Sequence, residues 1–417
     1  MAYIFLKAKS WKRLFLVLLI CYSILFLTFL NISIERRDNE LSSEILFKEG
    51  LDDSKFVFPS IEERVKYYMG SWYNKSMNPE EIDCRLMIVT DPQYRSDYAD
   101  KDLLYTFEKL KDESLHNHYT SVSEYLTQAY QCLTLSTSSD KKIIAIRVGD
   151  SSSSSQIPVI AKTRRAGILT SKSSSDYFSI IWPLGMVRHF KGVDQVGKLE
   201  RSLFGGVTKW KDKKPTLVWR GAVTGVSLSK NEVSKILSRN QPTFEYGPRM
   251  YVVNKYCDAN INDIDIAFRT DVSDIETRIG CKRRNYFMSM KDQLKFKYIL
   301  NIEGNDVSTG LKWQLASNSV VFMAKPTTVS FAMEDLLVPF VHYVPVKDDY
   351  SNLMEMVEWA RQNDQKCEWI SRQASLYMNK LWNTKQAQND YNEIRKQLAI
   401  MYSHQFGDAL QTCMHEN

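Results

Sequence analysis

The stretch LKFKYILNIEGNDVSTGLKWQLASNSVVFM, at residues 294–323, predicts the unit around which the rest of this chain is organised. Its first third carries an apolar side chain at every second position, which is the pattern of a strand with one buried face. These apolar side chains are Leu294, Phe296, Tyr298, Leu300 and Ile302. The turn-forming cluster EGND at residues 303–306 follows directly and predicts that the strand ends there.

A short helix and a second strand complete this unit. Ser308 or Thr309 is expected to cap a helix from Leu311 to Ala316, and Ser319–Met323 has the apolar composition of a strand. Strand, polar loop, helix and strand form a βαβ unit. Because unpaired N–H groups at the helix start face the loop, such loops are the usual anion- and nucleotide-binding crevices of open α/β sheets. We therefore expect a nucleotide at this loop.

Length and composition are those of a globular protein with two or three domains. The chain has 417 residues, of which 44% are hydrophobic and 25% are charged, so it can bury a sizeable core. The formal net charge of +6 is spread along the chain, without the dense basic tract typical of nucleic-acid binding. A diffuse positive balance suits an acidic small molecule such as a nucleoside diphosphate. We expect no nucleic-acid partner.

The N-terminal segment predicts a membrane anchor. Residues 14–34 are almost wholly apolar and long enough to cross a bilayer core of ~30 Å. Basic residues in the preceding tail, residues 1–13, favour an N-terminus inside and a luminal or external chain. A cleaved signal peptide is the alternative. We predict a single-pass type II membrane protein of the endoplasmic reticulum or Golgi, with a polar stem at residues 35–59.

Six of the seven cysteines follow the anchor. An even number in a luminal chain permits up to three disulfides, whose pairing the sequence does not give. Six buried thiols are the alternative. The cysteines have no metal-ligand spacing, so no zinc site is expected. Asn74-Lys75-Ser76 is a sequon that accepts an N-linked glycan in a secretory lumen.

Apolar strands alternate with helical patterns on both sides of residue 212, which predicts two α/β halves. Asp100–Leu110 is among the segments predicted as helices. The predicted limits are residues 60–212 for the first half, 213–400 for the second half and 401–417 for a tail.

Two strand ends carry candidate ligand-binding side chains. Asp150 follows the apolar strand Lys142–Val148, and the carboxyl edge of an α/β sheet is where ligands bind. In the second half, the strand Thr216–Trp219 runs into the loop Arg220–Gly225. A loop flanked by glycines, with an Arg at its start, can hold a phosphate group.

Five blocks along the chain carry a family resemblance. In order, they are Trp219-Arg220-Gly221 with Thr224, Asn301–Asn305, Leu311–Trp313, Ser317–Val321 and Val341–Val346. Together they resemble glycosyltransferase family 90, which holds the protein O-glucosyltransferases, the fungal capsule-associated xylosyltransferases and lipopolysaccharide-type relatives. The similarity covers Ile61–Leu381 and is densest after Arg220. It implies a GT-B fold of two Rossmann-like domains facing a cleft, the first binding the acceptor and the second the nucleotide sugar.

The resemblance also implies an activity. It is the transfer of glucose or xylose from a UDP-sugar to a hydroxyl of a glycan or protein, with inversion at the anomeric carbon and without a metal. Inversion needs a general base for the acceptor hydroxyl and positive groups on the leaving diphosphate. Asp150 matches the family's base, and Arg220 matches its phosphate-binding Arg. The alternatives are a turn-forming Asp, an Arg paired with a carboxylate, and a catalytically inactive glycan-binding relative on the same fold.

Further site residues follow from the same resemblance. Tyr177 and Trp182 are predicted to stack on the acceptor, with core positions as the alternative. At Gly310 the chain departs from the eukaryotic glucosyltransferases, which have an Arg there. Lys312 is the predicted substitute for that charge, with a solvated helical Lys as the alternative. The remaining predicted donor-binding residues are Gly221, Thr224, Glu303, Asn305, Ser308 and Thr309. A turn role is the alternative for Glu303, and helix caps are the alternative for Ser308 and Thr309.

Overall fold

The computed structural model describes residues 56–84, 87–89, 102–106, 143–147, 156–167, 178–182, 192–194, 196, 209–222, 224–225, 247–260, 262–268 and 287–416. The chain divides into two compact units after Val57, and the fold below is that of the second unit, Phe58–Asn417. Within the described part of the chain, every helix is too short or too polar to span a membrane. The anchor predicted at residues 14–34 lies outside the described residues.

Six described strands precede residue 182: β1 (Met87–Val89), β2 (Asp102–Thr106), β3 (Ile143–Arg147), β4 (Ile160–Ala161), β5 (Thr163–Arg165) and β6 (Ile180–Ile181). Five of them form a sheet in the order β1-β2-β3-β4-β6, parallel except for the antiparallel pair β2–β3. The helix predicted at Asp100–Leu110 is therefore wrong. All five residues of β2 pair with β3, and this ladder outweighs the local preference of the segment.

Six described strands follow: β7 (Lys214–Gly221), β8 (Ile264–Phe268), β9 (Phe296–Leu300), β10 (Val320–Met323), β11 (Thr328–Ser330) and β12 (Val344–Pro345). Five of them form a parallel sheet in the order β12-β10-β9-β7-β8. The predicted α/β class with parallel sheets is confirmed. The chain passes from β7 to β8 on one side and then to β9 on the other, so the strand order reverses between β7 and β9. In open α/β sheets, ligands bind beyond the carboxyl ends of the strands at such a reversal.

Seven helices have described bounds: α1 (Ile61–Met69), α2 (Pro248–Tyr256), α3 (Met290–Gln293), α4 (Leu311–Leu315), α5 (Leu353–Gln362), α6 (Asp364–Met378) and α7 (Lys385–Glu416). Leu353 and Val357 of α5 and Ile370 of α6 are buried in one core with the apolar side chains of the second sheet. This core includes Tyr298 and Leu300 of β9, whose alternating pattern predicted a buried face. The site therefore lies on a sheet that is packed by helices.

The predicted βαβ unit is present, with one difference. β9 and β10 pair in parallel, with Tyr298 opposite Val320, and α4 connects them. Helix α4 begins after Gly310 without a side-chain cap, so capping by Ser308 or Thr309 is wrong. Ser308 Oγ instead accepts a hydrogen bond from Asn301 Nδ2 at 3.0 Å, which takes it away from the helix start.

The last helix, α7, returns to the first sheet. The Tyr402 hydroxyl accepts a hydrogen bond from Ala145 N at 3.0 Å and donates one to Pro158 O at 2.8 Å. Residues 401–416, predicted as a tail, therefore belong to the packed fold. The alternation of strands and helices marks where the sheets are, but it does not show that a helix crosses back.

The described cysteines are not all paired. A disulfide joins Cys84 to Cys413 of α7, and Cys257 is also disulfide-bonded. Cys367 is a buried free thiol. A full set of three disulfides among the six cysteines after residue 34 therefore does not form.

A strand pair and a polar network join the two halves. β5 pairs antiparallel with β11, so that Arg164 lies opposite Val329. Arg164 Nη1 donates to Tyr68 O at 3.2 Å and its Nη2 donates to Tyr67 O at 2.5 Å. The Tyr67 hydroxyl in turn donates to Asp335 Oδ1 at 2.5 Å. This junction fixes the residues just before β5 against the second half.

Candidate functional site

A cleft of about 450 Å³ opens beyond the carboxyl ends of β7 and β9. It lies where the strand order of the second sheet reverses, which is the place where the fold favours a ligand. A cleft of this volume is within the range of small-molecule sites. Its walls include Gly221, Ala222 and Thr224 after β7, Arg249 of α2, the segment Phe287–Met290, the loop Gly304–Gly310 after β9, and Lys162 from the first half.

Arg249, in the first turn of α2, joins the two loops that form this cleft. Its Nη1 donates to Ala222 O at 3.1 Å and to Thr224 Oγ1, both in the loop after β7. Its Nη2 donates to Ile302 O at 2.9 Å, and its Nε donates to Glu303 O at 3.1 Å, both after β9. One guanidinium therefore sets the spacing of the two strand ends.

The positive charge of Arg249 has no carboxylate in contact among the residues that the structure describes. All of its hydrogen-bond acceptors are neutral oxygens, and the residue is only 9% exposed. Burial lowers the pKa of Arg249, because the charged form loses its hydration. A buried cation without a direct counter-ion favours an anionic ligand in the same cleft.

Two glycines allow the loops after β7 and β9 to touch. A Cβ on Gly225, whose φ is +82°, would lie 2.7 Å from Gly304 O. A Cβ on Gly304 would lie 2.7 Å from Thr224 Oγ1. The contact is closed by Gly225 N, which donates to Asn305 Oδ1 at 2.8 Å. Predicted donor residues Thr224 and Asn305 are thus brought together, and both line the cleft.

Arg220 lines the cleft as well, but its charge is neutralised. Its Nη2 lies 2.8 Å from Asp265 Oδ1 on the neighbouring strand β8, and its side chain is 3% exposed. Its Nη1 also donates to Asp265 O at 2.9 Å. An ion pair with a carboxylate was the alternative to phosphate binding for Arg220, and the observed pair is buried rather than at the surface. Within the described cleft, Arg249 rather than Arg220 carries the unpaired charge.

The loop after β9 contributes most, but not all, of its predicted residues. Ser308, Thr309 and Gly310 line the cleft. Lys312 does not, because its Nζ lies 3.2 Å from Glu334 Oε1 in a pair whose side chains are 2% and 1% exposed. The prediction that Lys312 supplies the charge missing at Gly310 is therefore wrong, since α4 turns it into the core.

Glu303 lines a second pocket of about 320 Å³, which shares Gly304, Val307 and Ser308 with the cleft. Its carboxylate accepts hydrogen bonds from Thr327 N at 3.1 Å and Thr328 N at 3.3 Å. Burial raises the pKa of Glu303. In this structure the Glu303 carboxylate holds the turn before β11, a contact that the sequence did not predict.

The predicted acceptor contacts are not supported by the described residues. Trp182 is 1% exposed and packs edge-on against Tyr402, with ring centroids 6.1 Å apart. No ring face is open to a sugar there, so the acceptor role predicted for Trp182 is wrong. Tyr177 and the predicted base Asp150 lie outside the described residues. The aromatic side chain that the cleft does expose is Phe287, at 67%.

Lys162 and Asp306 meet across the cleft. Lys162 Nζ lies 2.5 Å from Asp306 Oδ2, and each side chain is 6% exposed. Thr163 Oγ1 donates to the same carboxylate at 3.4 Å. One residue of the donor loop is thus held by the first half of the chain.

Arg249, Phe287, Lys162 and Asp306 were not predicted as site residues. A weak signal existed for Arg249, because Gly247-Pro248 before it is a helix start, and helix starts point at the ligand crevice in α/β folds. Lys162 and Asp306 are 144 positions apart in the sequence, and no local sequence pattern predicts that they pair. Among the described residues, no group of His, Cys, Asp or Glu side chains could hold a metal ion.

Known proteins are similar in sequence to part of this chain. O-glucosyltransferase LpsA of Dichelobacter nodosus is 40% identical over 109 residues, covering 26% of this chain and 34% of that protein. Protein O-glucosyltransferase 2 of Danio rerio is 33% identical over 84 residues, covering 20% of this chain and 17% of that protein. Uncharacterized protein 179R of Invertebrate iridescent virus 6 is 28% identical over 184 residues, covering 40% of this chain and 15% of that protein.

These matches span at most about a third of the length of the relatives. A family match is broader. Residues 195–403, half of the chain, match Glycosyl transferase family 90. The matched region holds the whole second sheet and, apart from Lys162, the described walls of the cleft. The chain therefore belongs to glycosyl transferase family 90.

Proposed function

We propose that this protein transfers a sugar from a UDP-sugar to a hydroxyl of a glycan or protein, with inversion at the anomeric carbon. The family supports glycosyl transfer in general. The observation that carries the donor assignment is Arg249, a buried guanidinium without a contacting carboxylate among the described residues, in the cleft at the sheet reversal. Nucleotides and dinucleotides bind at this position in open α/β sheets, so a nucleoside diphosphate suits the cleft.

The donor sugar is proposed to be glucose first and xylose second. The relatives from Dichelobacter nodosus and Danio rerio carry the name O-glucosyltransferase, which supports glucose. Both possibilities keep the same leaving group, UDP. The cleft residues named above bear on the binding of UDP and not on the choice of sugar.

In the proposed reaction, the acceptor oxygen attacks the anomeric carbon while its proton passes to Asp150. The bond between that carbon and the β-phosphate oxygen breaks, and UDP leaves with the electron pair. Arg249 would stabilise the charge that develops on the diphosphate. Ser308 and Thr309 line the same cleft, and their hydroxyl groups can donate to phosphate oxygens. Asp150 is assigned from the family resemblance, and no metal is required in this scheme.

We propose that the reaction takes place in the lumen of the secretory pathway, in a protein anchored through residues 14–34. The disulfide Cys84–Cys413 supports an oxidising compartment. The rival proposal is a catalytically inactive relative that binds glycans on the same fold. The two differ in one respect, since only a transferase releases UDP from its donor.

The test is UDP release by the purified full chain in detergent, measured with a panel of UDP-sugars, with and without EDTA. We expect slow release from UDP-glucose or UDP-xylose without acceptor, faster release with an acceptor, and no effect of EDTA. Asp150→Asn should abolish transfer and leave UDP binding nearly unchanged. Glycan binding without UDP release from any donor would favour the inactive relative and overturn the proposal.

A further inference from the structure

An acidic side chain lies inside the cleft that we assign to an anionic ligand. Asp306, in the loop after β9, lines the cleft and contacts Lys162 Nζ at 2.5 Å. Lys162 lines the same cleft from the first half, where the β5–β11 pair holds the neighbouring residue Thr163. The Asp306 carboxylate is thus paired with Lys162, a cation that faces the proposed diphosphate.

The field of Asp306 also reaches Arg249. Burial lowers the pKa of Arg249, and the negative charge of Asp306 opposes that change. The other described cations of the region have partners of their own, since Arg220 is paired with Asp265 and Lys312 with Glu334. Asp306 is therefore the carboxylate that offsets the positive charge on the side of the cleft where Lys162 and Arg249 lie.

A diphosphate in this cleft would be repelled by Asp306 and attracted by Lys162. The ammonium group is a compact charge on a flexible stem, so it can change partner with little movement of the backbone. Phosphate oxygens carry more charge than one carboxylate at neutral pH and are strong acceptors. The exchange of Lys162 from Asp306 to a phosphate group is thus allowed by the chemistry of both partners.

We propose that Asp306 is a built-in competitor of the donor diphosphate. It holds Lys162 in the unliganded protein and releases it to the phosphate oxygens when the UDP-sugar binds. It thereby weakens the binding of UDP and speeds the release of the product. Lys162 is the residue that contacts phosphate, whereas Asp306 opposes the diphosphate in two ways, by pairing with Lys162 and by repelling the phosphate charge. This inference rests on the proposed function, because the competing ligand is the UDP group.

A purely structural role for the pair makes the opposite prediction. If the contact only fixes the donor loop against the first half, loss of either partner loosens the loop and weakens the binding of UDP. The sign of the change in UDP affinity in Asp306→Asn therefore separates the two roles. The variant keeps the size of the side chain and removes its charge.

The experiment is isothermal titration calorimetry of the full chain in detergent, with UDP and with uridine as the probe that lacks phosphate. We expect Asp306→Asn to bind UDP about tenfold more tightly and Lys162→Gln about tenfold more weakly. Uridine affinity should stay within about twofold of wild type in both variants. Steady-state kinetics of Asp306→Asn should show a lower KM for the UDP-sugar together with a lower kcat, because UDP leaves more slowly.

Glu368→Gln is the matched control, since it removes one carboxylate from a surface pair with Arg372 on α6. It should leave the affinity for UDP unchanged. If the wild-type chain binds no UDP, the proposed function itself fails. If wild type binds UDP and Asp306→Asn binds it equally or more weakly, the competitor role is overturned.

A second comparison covers the case in which Asp306→Asn does not fold, as judged by its thermal unfolding. Lys162→Gln is then compared with the double variant Lys162→Gln/Asp306→Asn. Under the proposal, removal of the carboxylate from the Lys162→Gln protein still raises UDP affinity about tenfold, because the unneutralised charge repels the diphosphate. Equal or lower affinity in the double variant would overturn the proposal in the same way.

Discussion

Replacement of Arg249 tests whether one buried charge holds the donor diphosphate. At an effective dielectric constant of about 20, a guanidinium ~6 Å from one phosphate charge contributes ~3 kcal/mol. This corresponds to a change of about 100-fold in the dissociation constant. Arg249→Gln removes the charge and should weaken UDP binding by that order, with uridine affected by less than about threefold.

The same side chain makes five hydrogen bonds to the two cleft loops, so its loss also affects folding. Both Arg249→Gln and Arg249→Lys lose most of these bonds, and we expect each to unfold with ~2–4 kcal/mol less free energy than wild type. Arg249→Lys keeps the charge. The difference in UDP affinity between the two variants therefore measures the charge separately from the geometry of the loops.

The assay is calorimetric titration with UDP and uridine, preceded by urea denaturation of each variant. Lys255→Gln is the control, because it removes an exposed positive charge from the same helix, α2. An Arg249→Gln protein that folds and binds UDP within about threefold of wild type would show that the Arg249 charge does not hold the diphosphate.

Four further predictions concern other parts of the chain. Gly310→Arg should tighten UDP binding severalfold in calorimetry, because it adds a positive charge to the wall of the cleft at a φ of −73°, which an Arg can adopt. Unchanged affinity would contradict this. Burial lowers the pKa of His342 to about 4, below the ~6.5 of an unfolded chain, so only the unfolded state gains a proton between these values. The free energy of unfolding should fall by ~3 kcal/mol from pH 7 to pH 4 through this group, and His342→Gln should remove that component, which urea titrations across pH can check. Cys84→Ser, which leaves Cys413 unpaired, should lower the free energy of unfolding by ~2–5 kcal/mol, and no change in urea denaturation would contradict a structural role. Asn74 is exposed and should carry an N-linked glycan in a eukaryotic host, seen as a gel shift on PNGase F treatment that Asn74→Gln abolishes.

The second sheet was the part of the fold that the sequence predicted best. Its strands are continuous or alternating apolar runs, and the turn cluster after β9 lies next to the cleft. Such signals are local, so one sequence is enough to find them. The β2 strand has no comparable pattern, because it is defined by its pairing with β3 rather than by its own composition.

The candidate site was predicted in place but only partly in its residues. The loop after β9 and the loop after β7 were expected, and both line the cleft. The sequence did not predict which cation would face the ligand. Arg220 pairs with Asp265 on β8, whereas Arg249 contacts no carboxylate among the described residues. Which of two Arg side chains finds a partner depends on strand order, and strand order is a property of the folded sheet.

Trp182 and Lys312 show that packing in the folded protein also decides which predicted residues fail to reach the ligand. Both were expected at the ligand, and both are in the core, Trp182 against Tyr402 and Lys312 against Glu334. Tyr402 lies on the last helix, and Glu334 lies 22 residues after Lys312, so neither partner is a local neighbour. A residue type that suits a ligand also suits a buried partner, and only the packing decides between them.

A crystal structure of the full chain with UDP would show which side chains hold the diphosphate. We expect the diphosphate to lie in the cleft between the loops after β7 and β9, next to Arg249, with Lys162 moved from Asp306 to a phosphate oxygen. UDP bound elsewhere, for example in the pocket lined by Glu303, with Arg249 remote from phosphate, would contradict it.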